Sequence, residues 1–179
     1  MSDEPDELPL AISDGGPHLF LPWDLVSHWH GVDGGVLPDF ADTDYGRACD
    51  VPKPAGLLPV GPGQGLVIAG NPAMTYWVDT PNRTGGDLVV PRAWADDFSY
   101  SQIRVACGES TPKLFRDLGL VLPNPSQGCC LFAACDRAPA RVYPNSWVPL
   151  APGNYRILAA EGEWPAGLHL QLIRLALEQ

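Results

Sequence analysis

Asp44, Tyr45, Arg47, Cys49 and Asp50 crowd into the stretch Asp44-Tyr45-Gly46-Arg47-Ala48-Cys49-Asp50-Val51. Two carboxylates flanking a guanidinium can satisfy its donors in a planar fork, and a thiol beside an arginine can become a nucleophile. A reactive thiolate needs positive surroundings, and Arg47 is the single base of residues 1–50. That field opposes catalysis. The stretch therefore predicts a structural clasp of Asp44, Arg47, Cys49 and Asp50, with Arg47 buried between the carboxylates.

The second cluster is His28-Trp29-His30. In a strand both imidazoles would project to one side, where a nearby Asp could complete a metal site; in a helix they diverge by about 200°. His28 and His30 thus carry the alternative reading of a small metal-dependent enzyme or metal-binding module. No Gly-x-Ser-x-Gly, no His-Glu-x-x-His and no phosphate-cradling loop with its Lys occurs, so no catalytic residue, resident metal or cofactor is expected.

Short elements must position these groups. Twenty Pro and nineteen Gly among 179 residues break the chain often, while six Trp, five Tyr and five Phe supply a core. The expectation is a mainly β (α+β) fold of short antiparallel strands in two packed sheets, with one or two short helices. Residues 1–12 read as a disordered acidic tail and 13–179 as a single domain. His18–Leu21 is a short strand; Pro22 and Asp24 open a short helix whose Leu25, Val26 and Trp29 share a face. Leu57–Val60 is an edge strand because it tolerates Pro59. Leu66–Ala69 and Thr75–Val78 read as a β-pair across Gly70-Asn71-Pro72, and Leu88–Val90 as another strand. Asp96–Glu109 predicts a helix capped by Asp96 or Asp97, with Tyr100, Ile103 and Cys107 on one face; an alternating reading through Val105 competes. Leu168–Leu177 predicts a closing strand with Leu168, Leu170 and Leu172 opposite His169 and Gln171. Gly65 with Leu66–Ala69 and Gly86 with Leu88–Val90 echo Gly128 with Cys130–Ala133 and Gly153 with Tyr155–Ile157, which suggests two related halves packed face to face.

The net charge of −10 is uneven, since residues 1–50 hold eleven acids and one base, and the remainder balances. Such a field attracts cationic partners and repels nucleic acid and anionic lipid. Five cysteines (Cys49, Cys107, Cys129, Cys130, Cys135) form no CxxC pair, so a reduced, core role is expected, with Cys129 and Cys130 on opposite faces of a strand. Met1–Glu7 is acidic where a secretory signal is basic, and no apolar run reaches membrane length, which predicts a cytoplasmic protein.

Ser13-Asp14-Gly15-Gly16-Pro17, the apolar Leu19-Phe20-Leu21-Pro22 and the Asp44–Val51 stretch together resemble the bacterial immunity protein 21 family. Leu150–Ile157 and Leu168–Leu177 are similar to the family's ending, so the resemblance runs from Ser13 to Leu177. It implies a cytosolic, non-enzymatic protein that binds and neutralises a cognate toxin domain. The charge map supplies a mechanism: an acidic surface bearing Asp33, Asp39, Asp42 and Asp44, with Trp23 or Trp29 as aromatic anchor, docks over a basic active site. A toxin acting on nucleic acid suits this, because its cleft must hold phosphates.

Overall fold

The apolar runs Leu19–Leu21, Leu66–Ile68 and Cys129–Ala133 show little polar alternation because layers cover both of their faces. The computed structural model describes residues 10–33, 40–80, 85–92, 100–109, 115–137, 146–164 and 168–178. Among them lie two antiparallel sheets. One has six strands in the order β1 (Leu10–Ile12), β5 (Met74–Asp79), β6 (Gly85–Pro91), β11 (Leu168–Leu177), β10 (Gly153–Trp164) and β7 (Arg116–Asn124). The other has five: β3 (Ala55–Val60), β4 (Gly63–Ile68), β2 (His18–Pro22), β8 (Cys129–Ala133) and β9 (Trp147–Val148).

The two-residue period distributes the core. Phe20, Leu66, Ile68, Cys129 and Leu131 face the six-stranded sheet, where they meet Trp77, Leu88, Tyr155, Ile157, Ile173 and Leu175. Phe20 stacks on Trp77 with ring centroids 5.3 Å apart. The alternate residues Leu19, Leu21, Val67, Cys130 and Phe132 face outward. There the 3₁₀ helix η1 (Trp23–His28) and the short helix α1 (Asp44–Cys49) bury Leu25, Val26 and Ala48 on them. On the far side of the six-stranded sheet, α2 (Tyr100–Glu109) sets Ile103 and Cys107 against Tyr76, Val89, Leu170 and Leu172. A sandwich with helices outside both sheets results. Cys129 and Cys130 serve opposite faces as expected, and burial raises both thiol pKa values, that of Cys130 to about 12.

Several expectations hold in type. Pro59 lies in edge strand β3, and the helix forms with Ile103 and Cys107 buried while Val105 is 55% exposed, which rules out the alternating reading. The cap residues Asp96 and Asp97 and residues 1–9 lie outside the described residues. Leu10–Ile12, assigned to the tail, instead pair with β5. A third short helix, α1, forms where the sequence suggested only the clasp.

Pairings are where the structure departs most. The strands Leu66–Ala69 and Thr75–Val78 exist but do not pair. β4 makes its hairpin with β3 around Gly61-Pro62, with Val60 opposite Gly63, and β5 pairs with β1 and β6 in the other sheet. Ile68 and Trp77 both contribute to the inter-sheet core from opposite sides, so Gly70–Ala73 carries the chain across the sandwich. The halves do not form one sheet each. Instead the echoing segments flank shared strands, β4 and β8 on either side of β2, and β6 and β10 on either side of β11. β11 is accordingly interior, and Gln171, assigned to its polar face, is 1% exposed.

Candidate functional site

Helix α1 is fixed by its first turn. Thr43 caps it, its hydroxyl accepting the Gly46 N–H at 3.0 Å. Gly46 packs so tightly that a Cβ there would come within 2.0 Å of the Phe40 carbonyl oxygen. Tyr45 donates its backbone N–H to the Gly31 carbonyl at 3.0 Å and lays its ring on Gly16, whose φ of +98° and close approach both require glycine. The Gly-Gly-Pro turn and the Asp-Tyr-Gly-Arg segment, far apart in sequence, are therefore in contact. Burial, with a hydrogen bond to Cys49, pushes the Tyr45 hydroxyl up to about 12, so it stays protonated.

Asp44 is the hub of this cap. One carboxylate oxygen accepts the His30 backbone N–H at 2.8 Å and lies 3.3 Å from His30 Nδ1; the other accepts from Arg47 at 2.5 Å. Burial alone would raise the Asp44 pKa, but the hydrogen bonds from Arg47 and from the His30 N–H, with the Arg47 charge, hold it below the usual range. Arg47 spends its other donor on the Pro59 carbonyl at 3.2 Å. The expected clasp is thus half realised. Arg47 is an exposed helix residue joined to one carboxylate and one carbonyl, while Asp50 is the exposed C-cap of α1 and Cys49 is an exposed thiol beside Tyr45. A six-residue helix sets Asp44 and Arg47 one turn apart and carries Asp50 past its end, which is why Asp50 misses the fork.

The fork that the sequence suggested for Arg47 occurs at Arg174. Its Nε and Nη2 donate to the two oxygens of Asp87 at 2.7 and 2.8 Å, across directly opposed positions of β11 and β6. The Phe115 ring covers the guanidinium at 4.1 Å. The Cys107 thiol of α2 is pushed up to about 12 by burial and by the Asp87 charge. Only the strand register reveals this pair.

The two histidines separate. His30 turns to Asp44, and His28 lies against Gly61, where a Cβ would come within 2.5 Å of its ring. Among the described residues no three His, Cys, Asp or Glu side chains converge on a cation site, so nothing in the geometry favours the metal reading.

The proposed docking residues also divide. Trp29 is 1% exposed, its indole N–H donating to the Ala134 carbonyl at 3.0 Å, so it is a core residue and not an anchor. Trp23 is 45% exposed and meets Trp147 edge-on, ring centroids 5.2 Å apart. No local pattern points to Trp147, because β9 brings it beside η1 from more than a hundred residues away. Asp33 is exposed and paired with Arg137 at 3.0 Å; Asp42 is exposed; Asp39 lies outside the described residues. Trp23 and Asp42 therefore belong to the helical layer over the five-stranded sheet or its flanking turns, whereas Asp44 spends its carboxylate on contacts within that layer.

No curated protein and no solved structure matches this chain. The match that does occur runs from β1 through β5 and includes the Gly16–Tyr45 contact; the segments Leu150–Ile157 and Leu168–Leu177, expected to be similar to the family's ending, lie outside it. Residues 11–83 match the family model described as Immunity protein 21, the family that Ser13–Pro17 and Asp44–Val51 resemble.

Proposed function

We propose that this chain is an immunity protein of the cytoplasm that binds a cognate toxin domain and neutralises it by occlusion, without chemistry of its own. The observation that carries the reading is the family match over residues 11–83, which suggests toxin immunity. That span holds eight acidic and three basic residues and supplies both helices over the five-stranded sheet. Exposed Asp33 and Asp42, with Asp39, provide the negative field, and Trp23 with Trp147 provides an aromatic anchor of the kind that dominates interface energies. Asp44 acts indirectly, by holding the helical layer together. A toxin whose active cleft is basic, such as a nuclease, complements this surface best.

Co-expression with the product of the adjacent gene tests the role: rescue of growth and a co-purifying complex are expected, and neither appearing overturns it. Reversing Asp33, Asp39 and Asp42 to Lys tests the mechanism. Association should slow by about tenfold or more at low salt, with the loss shrinking as salt rises. An unchanged association rate removes the acidic face while leaving the immunity role.

A further inference from the structure

Among the described residues of this strongly acidic chain, a locally basic cleft stands out. It opens where the ends of β6, β10 and β11 face the segment leading into β3, and has a volume of about 760 Å³, within the range of about 300–1,000 Å³ usual for small-molecule sites. Lys53, Arg92, Arg116 and His169 line it with a single carboxylate, Glu161. A smaller hollow of about 410 Å³ shares Lys53 and Arg92 and extends toward Cys49.

Arg92 is held in place. Its backbone N–H donates to the His169 carbonyl at 2.9 Å, prolonging the β6–β11 ladder. Its Nη2 donates to the side-chain oxygen of Gln171, and the Gln171 amide donates across to the Pro54 carbonyl of the other sheet at 3.3 Å. Gln171 is 1% exposed, so a buried amide orients the guanidinium. Among the described residues, Arg92 Nε is buried without a hydrogen-bond acceptor. Glu161 lies 3.7 Å from it and 3.7 Å from His169 Nε2, too far to bond either. A buried donor left unmet is costly, and gathering three cations around one carboxylate adds repulsion. A bound oxyanion would remove both costs, accepting from Arg92 Nε while Lys53, Arg116 and His169 balance its charge.

We propose that this cleft binds a small molecule through a phosphate or carboxylate group, with Arg92 as its principal contact and Gln171 as the residue that positions Arg92. The cleft shares no residue with those assigned to toxin docking, and neither reading requires the other.

Calorimetric titration of the full chain with pyrophosphate and, separately, with citrate at constant ionic strength tests this. Saturable one-to-one binding of either is expected, and which of the two binds tells phosphate from carboxylate. Arg92→Gln should weaken it by about tenfold or more, and Arg116→Gln by a few-fold, whereas Arg137→Gln, an exposed arginine paired with Asp33, should leave it unchanged. In the unaltered protein the Arg92 Nε–H resonance should shift with the same saturation curve, a readout independent of whether a variant folds. Absence of saturable binding by both anions, equal weakening by Arg92→Gln and Arg137→Gln, or a stationary Arg92 resonance overturns the proposal.

Discussion

Polar groups buried against the six-stranded sheet and polar groups at the α1 cap use the same residue types under different physics. Asp87 and Arg174 face each other with side-chain exposures of 3% and 17%, and His18, wholly buried, joins the sheets through Thr75 at 2.7 Å and Ser13 at 3.0 Å. At the cap, Arg47 is 44% exposed, and Asp44, at 16%, divides itself between His30 and Arg47. Water can replace a lost partner at the cap. At the buried sites it cannot, so each partner there is indispensable once the other is present.

The largest expected effect follows from that asymmetry. Asp87→Ala takes the bidentate carboxylate away from a guanidinium held under α2 and Phe115, which should cost about 3–5 kcal/mol of unfolding free energy in urea. Replacing both members, Asp87→Leu with Arg174→Met, should recover much of that loss, because two apolar side chains leave no buried charge to satisfy. A single-variant cost below about 1 kcal/mol would place this pair in the class of surface ion pairs and dissolve the contrast.

The same contrast explains what the sequence could and could not reveal. Local patterns sufficed for strands: the continuous apolar runs of β2, β4 and β8 and the termini of β11 were legible, as was the burial of Ile103 with Cys107 one helical turn on. Partnerships were not. Arg47 looked like a clasp because two carboxylates flank it in sequence, yet helix geometry carries Asp50 away; Arg174 and Asp87 are 87 residues apart and meet through strand register alone. Trp23 and Trp29 are equivalent as aromatic residues near an acidic loop, and what separates them is the extended backbone just past η1, from which Trp29 turns inward onto the Ala134 carbonyl. The basic cleft was invisible for the same reason: Lys53, Arg92, Arg116 and His169 come from four segments, each unremarkable in charge.

His18 gives a second way to sharpen the comparison, through pH. Burial lowers its pKa from 6.5 to about 4, and its contacts, Thr75 and Ser13, are neutral throughout that range. Below pH 6.5 the unfolded chain takes up a proton that the folded chain refuses, so stability falls as pH drops and the loss levels off below about pH 4. The window corresponds to about 3 kcal/mol for this one side chain. His18→Gln should lower stability at pH 7 but flatten its decline between pH 6.5 and 4 relative to the unaltered protein, as read by urea midpoints across that range. Parallel declines in the two proteins would mean that the buried imidazole protonates freely and that the interior is less closed than its contacts indicate.

The smallest effect belongs to the cap. Asp44→Ala removes the carboxylate that joins His30 to Arg47, but Arg47 is already half in water and keeps the Pro59 carbonyl, and the His30 N–H is accessible to solvent once the side chain is gone. The cost should be about 1 kcal/mol or less, and it should shrink at about 0.5 M salt, where exposed charges are screened over a few ångströms. The Asp87→Ala penalty should not move with salt. Measuring both variants at two ionic strengths separates the regions without reference to any partner: a salt-insensitive Asp44 loss of several kcal/mol would show that the α1 cap behaves as interior. The Tyr45–Gly16 contact beneath it would then belong to one buried unit with the clasp, and the acidic face would be as rigid as the sheets that carry it.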